Sequence, residues 1–292
     1  MKPGIFSRST LWCTVVLAAL VSLPMQAAEE PEIRMKLTGR NIGFVTTFIK
    51  HSIKEGTLPH ELQTYQEQLN ADTKEEWTRL KKGYTTLGSQ LRSVHSDPFQ
   101  KMNDEDFKEL VTKYRRAVGA FSMLTFRNQL KVFERLPSDF KADLLAGKYD
   151  DKMTPKKRAG KTKNPSNLEN GAARYAGLTE EQQPAWDKIH AAYLTELTQF
   201  KDGKQREHLV RQGELLLRAL VTGDEKVAQA AYGADIPLEV EVKMMQRREF
   251  QKLYGLLTEE QKERSVKRRE EQRLKTEARK AKRKPATTKK KK

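Results

Sequence analysis

Phe250-Gln251-Lys252-Leu253-Tyr254-Gly255-Leu256-Leu257-Thr258-Glu259-Glu260-Gln261 reads as one helix closing and another opening. The hydroxyl of Thr258 can accept from the amide three residues ahead. The Gln261 side chain can reach back to the Thr258 amide, which completes a capping box. Glu259 and Glu260 then stand in the first turn, where the helix dipole favours negative charge. The same pentapeptide, Leu178-Thr179-Glu180-Glu181-Gln182, occurs 257 − 178 = 79 residues earlier. Each copy alone is only a capped helix start whose loss costs ~1 kcal/mol. Two identical copies bracketing a helical stretch are far more specific. Pro184 departs from the pattern, because it removes one amide early in the first of these helices.

Working outward, helical spacing recurs and no stretch alternates as a half-buried strand would. Ile42, Val45, Ile49 and Ile53 line one face of a first helix. Trp77, Leu80, Tyr84, Leu87, Leu91 and Val94 step by three and four, the seam of a helix lying along a partner. Asn103 before Asp104, Glu105 and Asp106 is a capped, acid-rich start, continued by Phe107, Leu110, Tyr114, Val118 and Phe121. Trp186, Ile189, Tyr193, Leu197 and Phe200 repeat the spacing, followed by Leu209, Leu216 and Leu220 up to Gly223. Asp235 and Pro237 open a further helix through Val242 and Met245 to Leu253. These stripes are core positions, and the expected fold is all-α, built of long helices and helical hairpins in two halves.

The paired pentapeptides, each opening a helix, resemble the LTxxQ-motif family, the Spy/CpxP-like periplasmic stress chaperones. The likeness is best where Phe250–Leu256 runs into the second motif and Lys262, and it covers residues 176–275. It implies a small helical cradle, usually an antiparallel dimer, that holds unfolded or aggregation-prone exported proteins without ATP. Leu178, Thr179, Gln182, Leu257, Thr258 and Gln261 carry over as structural positions and do not mark a client surface. Leu136-Pro137-Ser138-Asp139 follows Val132 and Phe133 as Leu257 follows Leu253 and Tyr254. Leu58-Pro59-His60-Glu61 lies 136 − 58 = 78 residues before it. The N-terminal half therefore reads as a degenerate copy of the second, with a homodimer or an intrachain pseudo-dimer as the consequence. The alternative is that Leu-Pro pairs simply fall at helix starts.

Charge is distributed unevenly. The 292 residues carry 56 Lys+Arg against 39 Asp+Glu, a formal +17. Residues 262–292 hold 16 of those cations against 4 acids, and Lys2 and Arg8 account for two more. Taking +12 and +2 from +17 leaves +3 on residues 29–261, so the basic character belongs to a tail. Within it, Lys267, Arg268, Arg269, Lys282, Arg283, Lys284, Lys289, Lys290, Lys291 and Lys292 are candidate anion contacts. No Tyr, Phe or Trp lies in 262–292, so stacking on single-stranded bases has no platform and nucleic acid is not the expected partner.

Residues 1–28 read as a cleaved signal peptide: Lys2 and Arg8, the apolar run Leu11–Leu23, then Pro24 to Ala28. The one cysteine, Cys13, would leave with it, which excludes disulfides and thiolate chemistry from the rest. The expected organisation is that signal peptide over 1–28, an N-terminal helical half over 29–146 and a linker over 147–177. An LTxxQ-like half follows over 178–261, then a basic tail over 262–292, helical as far as Pro285 and disordered beyond it. Gly160-Lys161-Thr162 echoes a phosphate-binding loop, but Pro155 stands where its first glycine belongs.

Of the histidines, His51, His60, His95, His190 and His208, no two have the spacing of a helical metal site, although Asp187 and His190 could share a face. The sequence thus points to an exported, periplasmic, non-enzymatic binding protein without cofactor or metal, most like an ATP-independent chaperone or envelope-stress protein. The alternative function is binding of anionic envelope surfaces, lipid phosphate or another polyanion, through the tail. Metal sensing has less support.

Overall fold

The computed structural model describes residues 52–53, 55–148 and 177–283, with side chains to 279. The signal peptide, most of the first helix stripe, nearly all of the linker, and Lys284 and Lys289–Lys292 lie outside the described residues. Lys282 and Arg283 are described in backbone only. Every described element is helical: α1 (Glu61–Asp72), α2 (Lys74–His95), α3 (Asp104–Glu134), α4 (Ser138–Leu145), α5 (Gln183–Phe200), α6 (Arg206–Thr222), α7 (Glu225–Gly233), α8 (Asp235–Gly255) and α9 (Glu259–Arg283). No strand occurs among the described residues.

These helices join into longer rods. Thr73 links α1 to α2 with its amide still bonded to the Leu69 carbonyl. A π-helical segment, Lys201–Gln205, carries α5 into α6 without a break. Ala234 keeps helical backbone between α7 and α8. The caps follow local chemistry. Asn103 accepts from the Asp106 amide at 2.8 Å, as its side chain suggests. Asp224 accepts from the amides of Lys226 and Val227. Gly223 ends α6 at φ 72°, a left-handed backbone that glycine adopts without Cβ strain.

Rod, rod and a Leu-Pro or Leu-Thr helix start therefore occur in the same order twice. α3 begins at 104 and ends at 134, while α7–α8 begins at 225 and ends at 255; both differences are 121. Buried positions follow the same offset: Met123 with Met244, Leu124 with Met245, Val132 with Leu253, Phe133 with Tyr254 and Leu136 with Leu257. α3 and α7–α8 also cross antiparallel. Asp104 pairs with Arg247, Arg115 with Asp235 and Arg127 with Glu225, so one number falls as the other rises. The main apolar cluster gathers Leu62, Phe126, Phe133, Phe140, Leu217 and Leu220 from both halves. Smaller clusters join α2 and α3 to α8, and α5 to α8.

The α2 seam is shallower than its spacing suggests. Leu91 is buried, but Trp77 is 39% exposed. α2 packs chiefly on α3, with Trp77 and Tyr84 against Phe121 at 5.4 and 5.1 Å. Leu209 is likewise left exposed on α6.

Arg247 is the largest fully buried side chain among the described residues. Its Nε donates to Asp104 Oδ1 at 2.6 Å, its Nη2 donates to the Met102 carbonyl, and the guanidinium lies 4.8 Å from the Phe107 ring. Asp104 is half-exposed, and the Arg247 hydrogen bond holds its carboxyl below the usual range. Asp104→Ala should cost about 1.5–3 kcal/mol, as for a lost hydrogen bond to a charged group. Arg247→Met, which removes the buried charge as well, should cost less. Urea unfolding of both variants checks the order.

Candidate functional site

The two pentapeptides meet. In each, the threonine hydroxyl accepts from the glutamine amide, at 3.4 Å for Thr179–Gln182 and 3.2 Å for Thr258–Gln261. In each, the glutamine Oε1 accepts from the threonine amide, at 3.0 and 2.9 Å. Both capping boxes are thus formed as the residue types dictate. Pro184 leaves its mark on the first, because Glu180–Gln182 form a turn and α5 begins only at Gln183.

The same side chains then do something that a cap does not require. Gln182 Nε2 donates to Gln261 Oε1 at 3.0 Å, and Gln261 Nε2 donates to Gln182 Oε1 at 2.8 Å. The second proton of each amide goes to a backbone carbonyl two residues before the opposite threonine. Gln182 reaches Leu256 at 2.6 Å and Gln261 reaches Gly177 at 3.0 Å. Each primary amide therefore satisfies both donors and uses its oxygen twice, with local two-fold symmetry. Leu178 and Leu257 pack beside this pair with Trp186, Phe250, Leu253 and Tyr254. A symmetric pair needs the same residue on both sides, which is a physical reason for two identical pentapeptides.

In the first half the matching positions are apolar. Leu62 stands 120 before Gln182 and Phe140 stands 121 before Gln261, and both lie in the main cluster. Proline replaces threonine at 59 and 137, so neither box can form there. Sequence reading found the four helix starts, but not the pairing of Gln182 with Gln261.

The basic candidates separate. Lys267 and Arg268 are exposed on α9. The Arg269 guanidinium donates to the Ser96 carbonyl and to Ser265, tying α9 to the end of α2. α9 does continue past Arg273 and Leu274, as its helix-forming composition suggests, and runs to Arg283.

Asp187 accepts from Gln183 at 2.8 Å, and His190 Nδ1 lies 2.9 Å from Glu249 Oε1 on α8. Among the described residues no group of three or more His, Cys, Asp or Glu side chains could hold a metal ion. His95 is buried against Phe107 and Phe250, and burial, with Lys243 and Arg247 nearby, pushes its pKa down to about 3. No helix among the described residues is long and apolar enough to cross a membrane. The sequence matches no family model, and no curated protein or solved structure is significantly similar to it.

Two outcomes test this geometry. Gln182→Leu and Gln261→Phe should each cost ~1–3 kcal/mol by stranding the other amide and a carbonyl. The double variant, which removes both facing amides together, should cost less than the two singles together; additive losses in thermal melts would refute the coupling. Separately, burial pushes Glu249 up from its ordinary 4.5 to about 8. The folded protein keeps that proton while the unfolded chain releases it, so this contribution is largest below pH 4.5 and is lost as pH rises through 8. Glu249→Gln should flatten the fall in melting temperature between pH 5 and 8.

Proposed function

We propose that this protein is an exported binding protein that holds unfolded or aggregation-prone polypeptides without ATP and without catalysis, in the manner of the LTxxQ-motif chaperones it resembles. The observation that carries the reading is the reciprocal Gln182–Gln261 amide pair, with each glutamine also closing its own box. It gives a role to every glutamine and threonine that the resemblance transfers. Such a joint clamps the start of α5 to the start of α9 and so sets the angle between the arms of a helical cradle. The α2–α3 seam adds a surface of suitable chemistry: exposed Trp77 beside half-buried Tyr84 and Phe121, with the Lys81 ammonium 4.2 Å from the Trp77 ring. An apolar strip with a cation above it can accept apolar segments of many sequences.

The two halves are read as a degenerate tandem duplication, so that one chain supplies both subunits of an intrachain pseudo-dimer. The constant offset of 121 between α3 and α7–α8, and their antiparallel crossing, support that reading. The first half has kept the helix plan and lost the hydrogen-bonded motif.

The reading is tested by light scattering of several chemically denatured clients. The protein should suppress aggregation at near-stoichiometric amounts, with no change on adding ATP. Trp77→Ser should weaken suppression several-fold while shifting the melt little, because the side chain is exposed. Unchanged scattering at excess protein would rule the chaperone reading out.

A further inference from the structure

The groove between α5 and α8 holds a pocket of about 240 Å³ whose chemistry the client-holding reading does not use. The two helices run antiparallel. His190 meets Glu249 at 2.9 Å, Glu196 meets Arg248 at 3.3 Å, and Lys204 in the π-helical segment meets Glu241 at 2.9 Å. That register sets Lys188, early on α5, level with Lys252, late on α8, and both line the pocket. Ala192, one turn on from Lys188, lines it with only a methyl group. Ile189, Tyr193 and Met245 supply an apolar wall, the last two of them buried.

The charges lining this pocket do not balance. Arg248 is matched by Glu196, whereas Lys188 and Lys252 have no ion-pair partner among the described residues. The remaining acid is Glu249, whose side chain is 1% exposed. Burial pushes its pKa up to about 8, so at pH 7 its uncharged form predominates and leaves the two lysine charges uncompensated. Glu249 Oε1 faces His190 Nδ1, while Oε2 is buried with no hydrogen-bond partner among the described residues. A buried carboxyl proton without an acceptor is costly, and an anion held by the two lysines supplies one. The space is a little below the ~300–1,000 Å³ of drug-sized sites, which suits a small molecule. An inorganic anion would leave the apolar wall wet, and a purely apolar molecule would leave the lysines unmatched. A carboxylate that carries a short apolar group satisfies both.

We propose that this pocket binds a small organic carboxylate. Its oxygens lie between the Lys188 and Lys252 ammonium groups and accept from the Glu249 carboxyl, and its apolar part lies against Ile189, Tyr193 and Met245. The chemistry is the same for a free carboxylate and for the C-terminal residue of a polypeptide. The inference does not rest on the client-holding reading.

The test is isothermal titration of the full chain with sodium hexanoate, with hexanol and inorganic phosphate as controls and a thermal melt of every variant. Hexanoate should bind, and both controls should bind at least tenfold more weakly. Lys188→Gln/Lys252→Gln should weaken hexanoate roughly tenfold or more, as for lost hydrogen bonds to a charged group. Lys267→Gln/Lys275→Gln, which removes the same charge from α9, should leave it unchanged. Ala192→Leu, at an exposed helical position, should fill the space and abolish binding with an unchanged melt. Glu249→Gln keeps a donor and should still bind, whereas Glu249→Met should not. N-acetyl-Gly-Gly-Leu, as free acid and as amide, separates the two sources. Binding of the acid alone extends the site to chain ends, and binding of neither confines it to free carboxylates; both agree with the proposal. No binding of hexanoate, equal binding of hexanol or phosphate, or full binding by the lysine, Ala192→Leu or Glu249→Met variants would each overturn it. Aggregation suppression by Ala192→Leu reports on the client-holding reading separately.

Discussion

The antiparallel crossing of α3 with α7–α8 is the contact on which the other elements depend. It brings two long helical surfaces together, and each has a further rod on its other side: α2 on α3, α5 on α8. The apolar clusters are the spaces this crossing creates. Its polar contacts sit along the same line. Near the middle, Asp235 accepts from Arg115 at 2.7 Å and from Gln212 at 2.9 Å, and lies 2.6 Å from His208 Nε2. Toward the end, the buried guanidinium of Arg247 spans from α8 to the start of α3. Such pairs add less to stability than apolar groups of the same size would, but they penalise any register that leaves a charge unpaired.

The Gln182–Gln261 pair works on the same principle with neutral groups. A buried primary amide has two donors and an acceptor to satisfy, and leaving one unmet is costly. Two amides facing each other, with a backbone carbonyl beyond each, solve the problem for both at once. Leu62 and Phe140, near the Leu-Pro helix starts of the first half, lie in the main apolar cluster and have no such donors to satisfy.

Polar chemistry also explains which basic residues stay available. The Arg269 guanidinium is used by the Ser96 carbonyl and Arg273 by two glutamates, so the cations that look equivalent along α9 differ in what they can still bind. Glu249 is the opposite case, a carboxyl pressed into the α5–α8 interface whose pKa burial pushes up to about 8. It lies beside His190, a residue whose sequence neighbours gave no sign of that contact.

Much of this was legible in the residues themselves. Local chemistry decided the helices: the Asn103 cap, Gly223 at the end of α6, the two threonine–glutamine boxes and the run of α9 through Leu274 all depend on neighbours within four positions. Apolar spacing likewise identified faces such as Leu91, Trp186 and Leu253. The tertiary structure decided what those faces meet, because periodicity names a buried stripe and not its partner. It left Trp77 partly exposed, and it placed Gln182 against Gln261 across 79 residues. It set His190 against Glu249 and buried Arg247 beneath Asp104. Contacts between groups far apart in the chain are set by how whole rods cross, and that crossing is a global minimum which no local spacing encodes.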